Sequence, residues 1–332
     1  MEKKTLCLQY CGTPCKDIYL FNIRLLTLTS CSISEFTCDD GTCVGMEERC
    51  DNKLDCQDGS DEEDCKAFST FPGYNKFHVP PPLENEQTLS LKISINIDKI
   101  ITINENDGYF KTKLRIVRSW SNPQLTFLDL KSNRVKNAIS GEDWERMWIP
   151  WTLFENVEHE DDYKGTDMKD KMTILPNPEF KYEEADRTQM RNVRFFKGSE
   201  NVISYQRQLL VKWICVYNMR WYPFDSQICT MKMYQDELSI TLIPASAKYS
   251  GPRELTQHIV KDVRICPLII NDRTGIVGEV IIGRPLLGTF LAVFMPTGIL
   301  LLLSQMVRVF NMDYLEMVIN VNLTLLLVLA TL

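Results

Sequence analysis

The sequence is poor in the residues that catalysis and nucleic-acid binding draw on. It holds three histidines in 332 residues, His78, His159 and His258, and none sits at a zinc-site spacing. No glycine-rich phosphate loop is present, nor a serine, histidine and aspartate ordering, so an enzyme is not expected. Basic residues number 37 against 44 acids, for a net charge of −7, and nothing basic enough to take nucleic acid emerges. Internal repeats and low-complexity segments are lacking too. No apolar leader follows Met1. That conflicts with the cysteine content below, and the expectation is a chain cut at its N-terminus or derived from an incomplete gene model.

What is there begins with twelve cysteines, a count that argues for an oxidising compartment. Three are Cys7, Cys11 and Cys15, two are Cys215 and Cys229, and Cys266 stands apart, either a buried thiol or the partner of an N-terminal cysteine. The other six crowd between Cys31 and Cys65. That density marks a small secreted module unable to build an adequate core without cross-links. Spacing alone leaves about 15 connectivities open. The same stretch is acidic from Asp51 to Asp64. A hard cation such as calcium takes about six to eight oxygens from carboxylates and carbonyls.

Phe36, the six-cysteine spacing and the acidic ending from Cys56 to Cys65 together resemble the LDL-receptor class A module. The resemblance implies the pairs Cys31–Cys43, Cys38–Cys56 and Cys50–Cys65. It also implies a structural Ca²⁺ held by the carboxylates of Asp51, Asp55, Asp61 and Glu62 and by backbone oxygens of Glu48 and Lys53.

Beyond Pro80, Pro81 and Pro82, read as a stiff spacer within a linker of residues 67–84, apolar residues alternate with polar ones. Leu91, Ile93, Ile95 and Ile97 share one face, and the turn signal from Asn104 to Gly108 precedes a second alternating run, Phe110–Trp120. Further strands are predicted at Ile203–Ile214, Ser226–Met233, Leu238–Ile243, His258–Ile265 and Ile276–Ile282. The expected class is mainly β, an antiparallel sandwich over residues 85–283. The acids from Glu158 to Asp162 read as a solvated loop, and His78 and His258 as isolated. Residues 284–332 change character: Pro285–Val307 has no charged side chain and matches a membrane helix in length, and Met317–Leu332 reads as a truncated second one.

Cys215 and Cys229 enclose Trp221, Tyr222, Pro223, Phe224, Asp225 and Gln227, the text that names the Cys-loop, or pentameric ligand-gated, ion channels. Trp120 with Leu125, then Trp148 with Pro150, Tyr205–Cys215 and Arg284 with Pro285 resemble other family signatures, in the family's order. The resemblance implies a Cys215–Cys229 disulfide and a homo- or hetero-pentamer in the plasma membrane, its N-terminal region outside. Agonist would bind between neighbouring sandwiches and gate a pore. Members that pair such a channel with this small module resemble multidomain arthropod subunits, which makes residues 1–30 the tail of an upstream lectin- or laminin-G-like domain.

Carried onto this sequence, the resemblance places Glu155, Tyr234, Gln235 and Asp236 on one side of the agonist site and Arg115, Val117, Gln206 and Gln208 on the other. Acids stand where amine-binding relatives carry aromatics, so no agonist is named. Asp225, Glu105 and Arg284 meet at the membrane end as a coupling cluster. Asn320, Thr324, Leu327 and Thr331 recur on one helical face as the pore lining, with Leu327 at a hydrophobic gate. Glu316 at the inner mouth would favour cations. Two other readings stand beside this one: a single-pass binding or endocytic receptor using the module, and a channel subunit that assembles without binding agonist.

Overall fold

The computed structural model describes residues 30–331, apart from 33–34, 140, 163–169, 180, 185–192, 271–272 and 308–314. All but the last residue of the expected upstream tail, residues 1–30, lies outside the described residues, and with it Cys7, Cys11 and Cys15. The chain divides into two compact units, the cysteine-rich module ending at Cys65 and a larger unit beginning at Lys66.

In the module, strands β1 (Glu35–Thr37) and β2 (Cys43–Gly45) form a small antiparallel ladder. Its core is four side chains, Phe36, Cys38, Met46 and Cys56, all buried. So little apolar material cannot offset chain entropy by itself. Three disulfides do the rest: Cys31–Cys43, Cys38–Cys56 and Cys50–Cys65, with Cα separations of 5.5, 5.8 and 5.7 Å. This is the connectivity that the resemblance implies.

The larger unit is a sandwich. Its strands are β3 (Phe68–Thr70), β4 (Leu89–Asn104), β5 (Tyr109–Trp120), β6 (Leu125–Leu128), β7 (Leu153–Phe154), β8 (Val157–Asp162), β9 (Lys171–Leu175) and β10 (Glu183–Glu184). They continue with β11 (Arg194–Lys197), β12 (Val202–Ile214), β13 (Ser226–Tyr234), β14 (Ile240–Tyr249), β15 (Ile259–Ile270) and β16 (Arg273–Gly283). One sheet runs β14-β4-β5-β12-β8, with β9 also on β12, and a second runs β15-β16-β13-β7. A third runs β10-β11-β6-β3. Among the described residues all strand pairings are antiparallel except that of β14 with β4.

The core follows from period-two patterning. On β5 every second residue is buried, from Phe110 to Trp120, and on β4 Leu91, Ile93, Ile95 and Ile97 are fully buried. The two main sheets meet there so closely that a Cβ on Gly278 of β16 would lie 2.9 Å from Ile95 Cδ1. Trp148 packs edge-on against Trp120 at 5.9 Å, tying the Trp148–Pro150 segment to the end of β5.

Two expectations need correction. Residues 67–84 are not a free spacer: β3 pairs with β6, Phe68 is fully buried, and the Tyr74 hydroxyl accepts a hydrogen bond from Trp148 N at 2.8 Å. Likewise the acids from Glu158 to Asp162 are not a loop but β8, laddered along β12.

After β16 the chain is helical from Leu286 to Val307, in three pieces: α2 (Leu286–Thr289), a π turn (Phe290–Phe294) and α3 (Met295–Val307). Here α1 denotes the single turn Gly141–Trp144. Pro296 lacks the amide that would continue the ladder, and the wider turn just before it absorbs the misfit. The last helix, α4, covers Leu315–Thr331. Among the described residues no single helix is both long and apolar enough to cross a membrane.

Candidate functional site

Where β16 runs into α2, three distant segments converge on Arg284. The turn between β4 and β5 brings Glu105. It is shaped by an Asx interaction, with Asp107 N donating to Asn104 Oδ1 at 2.9 Å, and by Gly108 at φ +70°. The loop closed by Cys215–Cys229 brings Asp225. Arg284 Nε donates to Asp225 Oδ1 at 2.9 Å and its Nη2 to Glu105 Oε1 at 2.5 Å. The guanidinium also lies over the Tyr222 ring, 4.6 Å from its centroid.

Burial makes this more than a surface pair. The side chains of Asp225, Arg284 and Glu105 are only 3, 8 and 18% exposed. Gln227 Nε2 holds the second Asp225 oxygen at 2.5 Å, and the same amide accepts from Asn218 N at 2.9 Å, bracing the loop from within. Burial pushes the Asp225 carboxyl up, but hydrogen bonds from Gln227 and Arg284 overcome that and hold it below the usual range. Glu105 behaves alike: burial raises it, and bonds from Arg284 and His258 bring it down. His258, expected to be isolated, sits 2.7 Å from Glu105 Oε1.

The residues expected around an agonist fall into two groups. Arg115, Val117, Gln206 and Gln208 share one face of the β5/β12 ladder, because Val117 lies opposite Gln206 and Arg115 opposite Gln208. Asp98 joins them, accepting from Arg115 Nη2 at 2.7 Å and from Gln208 Nε2 at 2.9 Å. The second group sits at the end of the β13 sheet. Tyr234 ends β13, and Gln235 is buried beside it. Neither acid there is free: Glu155 pairs with Lys232 at 3.4 Å, and Asp236 with Arg273 of the adjoining β15–β16 hairpin.

In the module, Asp61 is fully buried. Its Oδ2 accepts from Asp55 N at 2.8 Å, while its Oδ1 is buried with no hydrogen-bond partner. Glu62 Oε1 accepts from Asp51 N at 2.7 Å, and the Asp51 side chain is 8% exposed. A buried carboxylate oxygen without a donor is costly, and an oxygen-seeking cation would satisfy it, so the donor set fits calcium. Lys53 lies 3.6 Å from Asp51, and the Glu48 side chain caps Gly45 N at 2.8 Å. The one tight trio of metal-ligand types among the described residues, Cys31, Glu35 and Cys43, is no metal site, because its sulfurs are bonded to each other.

On α4, Glu316 is exposed in the first turn, and Asn320, Thr324 and Leu327 are exposed further along. Thr324 Oγ1 donates back to Val321 O at 2.8 Å. The Thr331 side chain lies outside the described residues. Cys266 is a half-buried free thiol.

Residues 67–243, just over half of the chain, match the neurotransmitter-gated ion-channel ligand binding domain. The chain belongs to that family. Residues 29–65 match the low-density lipoprotein receptor domain class A. Over 260 residues the chain is 22% identical to the acetylcholine receptor subunit beta-type unc-29 of Caenorhabditis elegans, covering 75% of this chain and 46% of that protein. It is also 22% identical over 159 residues to the acetylcholine-gated chloride channel subunit acc-2 of the same organism, 48% of this chain and 30% of the other. The module is similar to part of human CD320 antigen, 46% identical over 54 residues, 16% of this chain and 18% of that protein. The chain thus spans under half the length of the channel subunits it matches. Around these sites the sequence signals missed Asp98, Lys232, Arg273 and His258. Each acts through a partner on another strand or turn.

Proposed function

We propose that this chain is the extracellular part and pore entry of one subunit of a pentameric plasma-membrane ion channel, gated by a small agonist at subunit interfaces. The observation that supports this is the buried Arg284 cluster. It ties the β4–β5 turn and the disulfide-closed loop to the residue that precedes the first apolar helix, so a change in the sandwich cannot leave that helix unaffected. Leu286–Val307 and α4 would be the first span and the pore-lining helix, with Asn320, Thr324, Leu327 and Thr331 toward the pore and Glu316 favouring cations at its mouth. Arg115, Val117, Gln206 and Gln208 would face Tyr234, Gln235, Glu155 and Asp236 of a neighbouring copy or relative. Calcium would hold the module through Asp51, Asp55, Asp61 and Glu62.

The charge pairing of Glu155 with Lys232 and of Asp236 with Arg273 favours a second reading, a subunit that assembles without binding agonist, since both acids expected at the site already have a basic partner. The test is a recording from oocytes expressing the full-length transcript, with acetylcholine, protons and divalent cations applied in turn, alone and with co-expressed relatives. A gated current in the subunit alone supports the agonist reading. Current only in mixtures supports the auxiliary one, and surface protein that stays monomeric rejects both.

A further inference from the structure

Glu105 Oε1 is a shared acceptor. It takes Arg284 Nη2 at 2.5 Å from one side and His258 Nε2 at 2.7 Å from another. His258 is held for this by its own loop: Leu255 N donates to His258 O at 2.8 Å, and Val260 N closes on Arg253 O at 2.8 Å. Its side chain is 7% exposed. A cavity of about 450 Å³, lined by Lys99–Ile103 and Glu254–His258, lies alongside. No other histidine falls in β15, β16 or the disulfide-closed loop.

Charge counting shows what the imidazole can do. Glu105 and Asp225 set two carboxylates against one guanidinium, so the cluster holds a surplus negative charge while His258 is neutral. A proton on His258 balances it, and surplus charge matters most where solvent is scarce. The other titratable groups around His258 do not supply that balance. They are Lys99 of β4, Asp107 in the turn, Tyr217, whose hydroxyl donates to Tyr109 O, and Arg253 and Glu254 on its own loop. Histidine ordinarily changes charge between about pH 5 and 8.

We propose that His258 is a positioning residue of the junction: it fixes Glu105 against Arg284, brings the loop before β15 into the coupling cluster, and makes the tightness of that cluster depend on a proton. The proposal rests on the coupling role given to Arg284, but its test needs no agonist. Hydrogen–deuterium exchange of the full chain in detergent, corrected for intrinsic pH effects, is read on residues 104–108, 253–260 and 284–288. In the wild type these peptides are expected to be about threefold better protected at pH 6 than at pH 8. In H258Q, which keeps a donor but cannot titrate, and in E105Q, which removes the surplus charge, the difference is expected to vanish. A flat wild type overturns the proposal, as does pH dependence that survives in H258Q or E105Q. If H258A loosens the peptides equally at both pH values and H258Q restores them in full, the role is structural and the proton plays none. Surface protein that stays monomeric yet keeps the pH-dependent protection would reject the channel reading and leave the His258 contact standing.

Discussion

Arg284 is the residue on which most depends. Removing one partner of a buried charge cluster leaves the others without compensation, at about 3–5 kcal/mol. Arg284→Gln is therefore expected to lower the melting temperature of the detergent-solubilised chain by on the order of ten degrees, and an unchanged melt would show the cluster to be idle. Asp225 and Glu105 also set an acid limit. Both carboxyls titrate below their usual range when folded, so their stabilisation is complete above about pH 4, the unfolded value, and is lost as pH falls through the folded ones. Asp225→Asn should give a shallower loss of stability on acidification than the wild type, measured by melting from pH 6 downward. Asp225, Glu105 and Arg284 were legible through the family resemblance, which rests on the text between Cys215 and Cys229 and on Arg284 with Pro285. His258 was not, since its partner stands 153 positions away and a single histidine leaves no pattern around it. The partners of Glu155 and Asp236 were hidden for the same reason.

At the scale of elements, alternation found the long strands, because β4, β5, β12 and β16 each bury one face and show the other to solvent. It failed where tertiary pairing overrides propensity. β8 is built largely of acids, poor strand formers, and is held by its backbone ladder to β12. β3 is three residues long between stretches that read as loop. Its weight comes from Phe68, so Phe68→Ala is expected to cost about 3–5 kcal/mol, read as a fall in melting temperature. A tighter constraint lies after β11. Gly198 exchanges backbone hydrogen bonds with Asn122 and Leu125, and a Cβ there would press on Asn122 O and lie 2.5 Å from Leu125 O. Both obstacles are main chain and cannot swing aside. Gly198→Ala should destabilise the sandwich by about 1–3 kcal/mol, whereas Gly73→Ser, in an open position, should cost less despite its positive φ.

For the whole molecule, the module and the sandwich answer to different supports. With four buried side chains for a core, the module relies on its three disulfides and on the calcium proposed at Asp61. Chelator is expected to make Cys31–Cys65 sensitive to protease while the sandwich keeps its resistance, and calcium to reverse this. Protection of the module unchanged by chelator would remove the metal from the account. The sandwich relies on an apolar interior that joins both main sheets.

The parallel seam between β4 and β14 has a consequence during synthesis. Contacts across it, such as Ser94 with Ser246 and Thr88 with Thr241, span 152 and 153 positions. At about 5–20 residues per second, a ribosome needs on the order of ten to thirty seconds after making β4 to deliver its neighbour. Throughout that interval the nascent chain presents one long isoleucine-rich edge with nothing to pair it. Until β14 arrives that edge is open to pairing with any other strand, so the length of the interval sets how long misassociation competes with folding.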